Sequence, residues 1–128
     1  MKLLNDGDFQ KAWGGIPSLQ FGLSIIWTEA SKRGFSVADV SRWMSSFPAQ
    51  LVGIDKRKGK VEPGFDADIV VWNPEEEFTV SREMILHRHK LTPYEGRRLQ
   101  GRVVKTFLRG ETVFDNGTIK NHAKGMRL

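Results

Sequence analysis

The chain has 128 residues, 39% of them hydrophobic, and carries 20 Lys plus Arg against 15 Asp plus Glu with no cysteine. That is the length of one ordinary domain with a single core. The missing cysteines exclude a disulfide framework, a thiolate zinc site and a cysteine nucleophile, and favour an intracellular setting. The longest apolar run, residues 21–27, is interrupted by Gly22 and Ser24 and falls far short of the roughly 20 residues that span a membrane.

Residues 1–10 include Asp6 and Asp8 and no apolar segment, so they do not read as a secretory signal. Leu23, Ile26, Trp27 and Ala30 recur at helical spacing, and Lys32-Arg33 precede Gly34, which predicts an amphipathic helix over 22–33. Ser36 with Asp39 three residues on is a capping-box variant opening a helix over 36–47, with Phe35 placed to staple onto Val40. Its apolar stripe is Val37, Val40, Trp43, Met44 and Phe47. Pro48 should end that helix and start a short third one, residues 48–52, closed by Gly53.

After a basic loop at 55–60 the pattern changes to short β-rich runs. Residues 69–72 read as a strand stopped by Asn73-Pro74, and 78–80 as another, followed by one helical turn from Ser81 to Ile85. Residues 103–108 and 112–114 read as a hairpin across Arg109-Gly110-Glu111, with a further turn at Asn116-Gly117. Helices followed by strands make the class α+β, and the change near residue 55 marks a domain boundary.

Chemistry-bearing groups are sparse. His87-Arg88-His89 on a strand would aim both imidazoles at one face, yet a metal needs more than two ligands, and His122 lies in a distant polar tail. The segment from Gly59 to Asp68 lacks phosphate-loop spacing and leads into a strand, so it reads as a turn in which Asp66 and Asp68 bond nearby backbone N–H groups. No serine lies in a G-x-S-x-G elbow. Gly14-Gly15 between Trp13 and Pro17 either forms a plain turn or lets backbone approach a ligand closely. The basic clusters at 56–60, 87–90 and 120–127 read as solvated loops, and nothing resembles a nucleic-acid recognition helix or aromatic platform.

Three segments, residues 14–20, 46–49 and 58–72, nevertheless run in the order found in cyclic amidohydrolases, and Gly101-Arg102-Val103, Thr106 and Arg109-Gly110 up to Asn116-Gly117 resemble that family's closing hairpin. Within the family, Gly7-Asp8-Phe9, Ala12 to Ile16, His87 to Lys90 and Thr92 to Gly96 are most similar to allantoinases. The resemblance covers nearly the whole chain.

It implies a (β/α)₈ barrel beside a small β-sandwich, with two metal ions, usually zinc, held by histidines, a carboxylated lysine and an aspartate. The activity implied is hydrolysis of the ring amide of allantoin to allantoate. This chain matches the part after the eighth barrel strand: 1–54 would be the end of the barrel, with its last helices over about 22–54, and 55–128 the C-terminal strands of the sandwich and a tail. The resemblance then implies no catalytic residue and no metal ligand in the chain, zinc bound elsewhere in a parent that is a homo-oligomer, and a small cyclic amide as partner rather than nucleic acid or membrane. Gly14 and Gly15 match the place where dihydropyrimidinase-like relatives offer backbone groups to the substrate ring. Two other readings compete: a non-catalytic assembly module related to dihydropyrimidinase-like proteins, and a basic nucleic-acid-binding domain. Cytoplasm, peroxisome and mitochondrion all remain open, since Met126-Arg127-Leu128 resembles a peroxisomal Ser-Lys-Leu signal only faintly, with Met126 departing from it.

Overall fold

The computed structural model describes residues 14–120; the readings at Gly7 to Trp13, at His122 and at 126–128 lie outside them. A single 3₁₀ turn, Leu19–Phe21, leads into α1, Gly22–Lys32. Then come α2, Val37–Ser41, and α3, Phe47–Leu51, followed by a four-stranded antiparallel sheet in the order β1-β2-β3-β4. The strands are β1 Ile69–Thr79, β2 Arg98–Leu108, β3 Glu111–Asp115 and β4 Thr118–Ile119. Helices thus precede residue 55 and strands follow residue 68, as an α+β pattern requires.

The helix ends follow local chemistry. Gly34, at φ +78, closes α1: its N–H donates to Ser31 and that of Phe35 to Ala30. Gly53 does the same for α3, with the N–H groups of Gly53 and Ile54 reaching Gln50 and Ala49. At the start of α2 the Ser36 hydroxyl accepts from the Asp39 N–H at 3.2 Å while the Asp39 carboxylate accepts from the Ser36 N–H at 2.8 Å. That reciprocal box is the one the sequence predicts.

Pro48 does not break the helix as expected. Residues 42–46 form a π-helical turn in which the Phe47 N–H donates to the Arg42 carbonyl, and the backbone stays right-handed through both junctions. The wider turn removes the clash a proline ring otherwise makes with the carbonyl four residues back, so α2 and α3 run on as one bulged helix. The Phe35 staple also differs. Its ring meets Trp43 edge-on at 4.9 Å, whereas Val40, 1% exposed, joins Trp27 and Ala30 in the core.

Strand β1 continues through Asn73-Pro74, where the sequence reading stops it, and absorbs residues 78 and 79. Asn73 pairs with Arg102 and Glu77 with Gln100, so residues 74–76 bulge opposite Gly101 alone. Proline, which has no N–H to give a ladder, is tolerated in such a bulge. Its freed carbonyl accepts from the Trp27 indole N–H at 2.8 Å. The two tight turns match their sequences: Arg109-Gly110 (φ 48 and 83) and Asn116-Gly117 (φ 45 and 87) give the left-handed pairs that two-residue hairpins favour.

One core cluster joins Phe21, Val80, Ile85 and Leu99; the other joins Trp27, Ala30 and Val40, with Trp72 packed against it. Helix α1 lies on β2, and of its predicted apolar stripe Trp27 and Ala30 are buried and Leu23 packs against them, while Ile26 is turned away. Ser24 and Thr28 are buried there, and Ile26 is 38% exposed. Ser24 Oγ donates to the Gly101 carbonyl at 2.5 Å, and Thr28 Oγ1 accepts from the Gln100 N–H at 2.8 Å and donates to the Ser24 carbonyl at 2.6 Å. Among the described residues no helix is long and apolar enough to cross a membrane.

At Gly101, φ +92, an added Cβ would lie 2.7 Å from Trp27 and 2.8 Å from Trp72. Gly101→Ala therefore combines overpacking with an unfavourable backbone and should cost about 3 kcal/mol of unfolding free energy, read as a lowered urea midpoint.

Candidate functional site

Gly14 to Pro17 enter the structure as an irregular segment, with Gly15 at φ +85, a conformation glycine adopts without penalty. The segment is fastened to the loop after β1. Thr92 Oγ1 donates to the Pro17 carbonyl at 2.8 Å. The Gln20 amide donates to the Met84 carbonyl at 2.6 Å and accepts from the Leu86 N–H at 2.8 Å. Within that loop Arg82–Met84 form one 3₁₀ turn in which the Met84 N–H reaches the Ser81 carbonyl, so Ser81 opens the turn through its backbone. The Lys90 ammonium donates to the Ile85 carbonyl, and Ile85 is fully buried.

Between the two segments lies a cavity of about 300 Å³ lined, among the described residues, by Gly14, Gly15, Ile16, Pro17, His87, His89 and Leu91. Two signals that the sequence presents separately, the glycine pair and the histidine pair, thus line one cavity. The histidines do not sit on a strand; His87 to His89 form a bend, which removes the alternation that would aim both rings one way. His87 Nε2 is buried and, among the described residues, has no hydrogen-bond partner. Among the described residues no three His, Asp or Glu side chains come together as a metal site. The described lining of this cavity, with two histidines and no carboxylate, does not fit a two-metal centre.

The segment from Arg57 to Asp68 is a charge clasp rather than a phosphate loop. Lys58 Nζ lies 3.1 Å from Asp66 and also pairs with Asp68, while Arg57 reaches Asp66 at 3.0 Å. Asp68 accepts from the Arg109 N–H at 2.8 Å, and the Gly110 N–H donates to the Ala67 carbonyl, tying the clasp to the β2–β3 turn. Asp66 and Asp68 thus bond a distant lysine and a hairpin turn, in place of the nearby N–H groups expected of them. The Lys58 hydrogen bond holds the Asp66 carboxyl below its ordinary range. For Asp68, burial pushes upward, and the bonds from Lys58 and the Arg109 N–H outweigh it, so its pKa is lowered too. Lys58 is raised, chiefly by the Asp68 bond. Gly59, φ +90, seats the loop on α3: a Cβ there would meet that of Ala49 at 2.7 Å, and Ser46 Oγ donates to the Gly59 carbonyl.

Residues 18–113 match the model of the Amidohydrolase family. The chain belongs to that family. Among curated relatives, this amidohydrolase is 47% identical over 114 residues to "Probable allantoinase 2" of Dictyostelium discoideum, a match covering 89% of the chain and 22% of that protein. It is 46% identical over 127 residues to the allantoinase of Arabidopsis thaliana, covering 98% of the chain and 25% of the relative. Among solved structures, a D-hydantoinase superposes with a TM-score of 0.80 at 27% identity, over 88% of this chain and 24% of that one. The L-hydantoinase of Arthrobacter aurescens gives 0.78 at 28% identity, over 87% of this chain and 25% of that one. The chain spans 22% to 25% of the length of these relatives.

The clasp gives this amidohydrolase a definite pH response. The two lowered carboxyls contribute stability present above the unfolded carboxylate pKa and lost as pH falls through their folded values. The raised lysine contributes stability present below its unfolded pKa and lost as pH rises through its folded value, so the clasp acts fully between roughly pH 4 and 10. Lys58→Met should lower the urea midpoint at pH 7, and the gap to the parent chain should narrow as the pH falls below the ordinary carboxylate range and the two aspartates are protonated.

Proposed function

We propose that this chain is the C-terminal portion of a metal-dependent allantoinase, which hydrolyses the ring amide of allantoin to allantoate in purine catabolism. The observation that carries the reading is the 46% to 49% identity to allantoinases of Arabidopsis thaliana and Streptomyces avermitilis over 98% and 89% of the chain. In this reading residues 1–54 complete the barrel and residues 55–128 the smaller sandwich. The two zinc ions and the groups that hold them belong to the remaining barrel. When bound they supply the activated hydroxide.

This chain's own part is to bind and to close. Gly14 and Gly15 offer backbone groups to the cyclic amide, which glycine allows because no Cβ keeps a ligand away; among the described residues an added Cβ at either position would meet nothing within 4 Å. The helix face left uncovered is where the barrel would pack. Trp43, Met44, Phe47, Leu51 and Val52 are 38% to 87% exposed, an apolar series that a self-sufficient domain rarely leaves in water. The parent assembles as a homo-oligomer.

The test is an assay for allantoate with this chain alone and with a chimaera in which it replaces the matching segment of the Arabidopsis relative. The chain alone should give no turnover, and the chimaera should be active, lose activity to a chelator and regain it with zinc. Turnover by the chain alone would overturn the reading, and a folded, zinc-loaded chimaera that opens no ring would favour an assembly module instead. Gly15→Ala in the chimaera, strained at φ +85 by about 1 kcal/mol or more, should raise KM several-fold.

A further inference from the structure

The sheet ends on its slightest element. Strand β4, Thr118–Ile119, is two residues long, is exposed at both positions and, among the described residues, pairs with β3 alone. Asn116-Gly117 joins it to β3, with both residues in the left-handed region at φ 45 and 87. The Asn116 N–H donates to the Val104 carbonyl of β2 at 2.9 Å, and beyond the turn the Lys120 N–H donates to the Val113 carbonyl at 2.9 Å. Among the described residues no hydrogen bond holds the Gly117 N–H, and a Cβ built on Gly117 would meet nothing within 4 Å. Edge pairing this short opens locally, far below the free energy of global unfolding. When β4 lifts, Asn116 stays anchored to β2 through its own N–H while the Cα–C bond after it is released to rotate. The Gly117 nitrogen then reaches the Asn116 side-chain amide with no described neighbour in the way.

We propose that Asn116-Gly117 is a site of covalent self-modification, at which the Asn116 amide is lost through a cyclic imide when β4 detaches. The Gly117 nitrogen attacks Asn116 Cγ and closes a five-membered ring; Nδ2 leaves as ammonia, taking the Gly117 proton with it. Holding nucleophile and carbonyl on adjacent residues makes the step intramolecular. Water then opens the imide. Its attack on Cγ gives aspartate on an unchanged backbone, whereas its attack on the backbone carbonyl gives isoaspartate, with one methylene added to the main chain. The two products differ in consequence. Aspartate tolerates the left-handed turn, but it puts a carboxylate where Nδ2 donated to Asp115 at 2.9 Å, and Asp115 has Lys105 at 3.2 Å to offset the added charge. Isoaspartate lengthens a two-residue turn that the Asp115–Thr118 pairing closes tightly, so β4 stays detached. Phe114 and Gly117 line a cavity of about 420 Å³ with Phe21 and Met84, and releasing the turn opens that cavity at Gly117.

Asn73 supplies an internal control. Pro74 after it has no N–H to attack with, and the Asn73 side chain is occupied in accepting from the Glu75 N–H at 3.0 Å. The 128-residue chain, incubated at mildly alkaline pH, should gain acid at Asn116 while Asn73 keeps its amide, as read by mass spectrometry of its peptides. Isoaspartate at position 116 is counted with an isoaspartyl methyltransferase. The Arabidopsis chimaera, incubated beside it, should do the same. The chain unfolded in urea and a synthetic peptide of residues 110–120 should both react several-fold faster, since neither has a sheet to open. Lys120→Pro removes the Lys120–Val113 bond and should raise the rate of the folded chain several-fold, with its circular dichroism unchanged. An Asn116 that stays intact in the folded proteins while the peptide reacts to completion would overturn the proposal, as would equal loss of amide at Asn73. A folded chain that reacts as fast as the urea-unfolded one, or no faster with Lys120→Pro, would refute the gating by β4.

Discussion

The crossing of α1 over β2 at Gly101 is the contact on which the rest of this structure depends. Gly101 has no side chain, so the Trp27 indole and the Trp72 ring can occupy the space above it, meeting edge to face with centroids 5.5 Å apart. The same approach lets Ser24 reach the Gly101 carbonyl and lets Thr28 take the Gln100 N–H. Burying two hydroxyls is unfavourable unless each is bonded; here each is. The bulge at residues 74–76 belongs to the same arrangement, because the carbonyl it frees at Pro74 is taken by Trp27.

From that crossing the candidate site follows in short steps. Fixing α1 fixes the 3₁₀ turn before it and so the Gln20 side chain, whose amide spans Met84 and Leu86. Phe21 sinks into the cluster with Val80, Ile85 and Leu99, which anchors the loop carrying His87 from beneath. The glycine segment and the histidine bend are thus held against one another by the helix–sheet contact, although neither makes a regular element. Rigid support beneath irregular backbone is the usual means by which loops come to bind ligands.

The uncovered face of the bulged helix fits the same account. Continuity through the π turn keeps Trp43, Met44 and Phe47 on a helix that also bears the well-buried Val40. One edge of the helix serves the core described here, and the other presents apolar surface outward. The two allantoinase relatives are about four times as long as this chain, and in the function proposed above the rest of the parent covers that surface.

The sequence by itself determined what depends on neighbours a few residues away. The Ser36–Asp39 box, the glycine closures at Gly34 and Gly53, and the left-handed turns at Arg109-Gly110 and Asn116-Gly117 are all set by local sterics and hydrogen bonding, and all were legible. The ordered segments pointing to the amidohydrolase family were legible for a similar reason, since each motif is contiguous. Only the tertiary structure decided that Pro48 would be carried through a π turn and that β1 would run past Pro74. It also decided that Lys58 would gather Asp66 and Asp68, that Ser24 and Thr28 would be buried in place of Ile26, and that Gly14-Gly15 would face His87. Each of these turns on a partner distant in sequence or on the shape of a neighbouring element, and no periodicity along the chain encodes who that partner is.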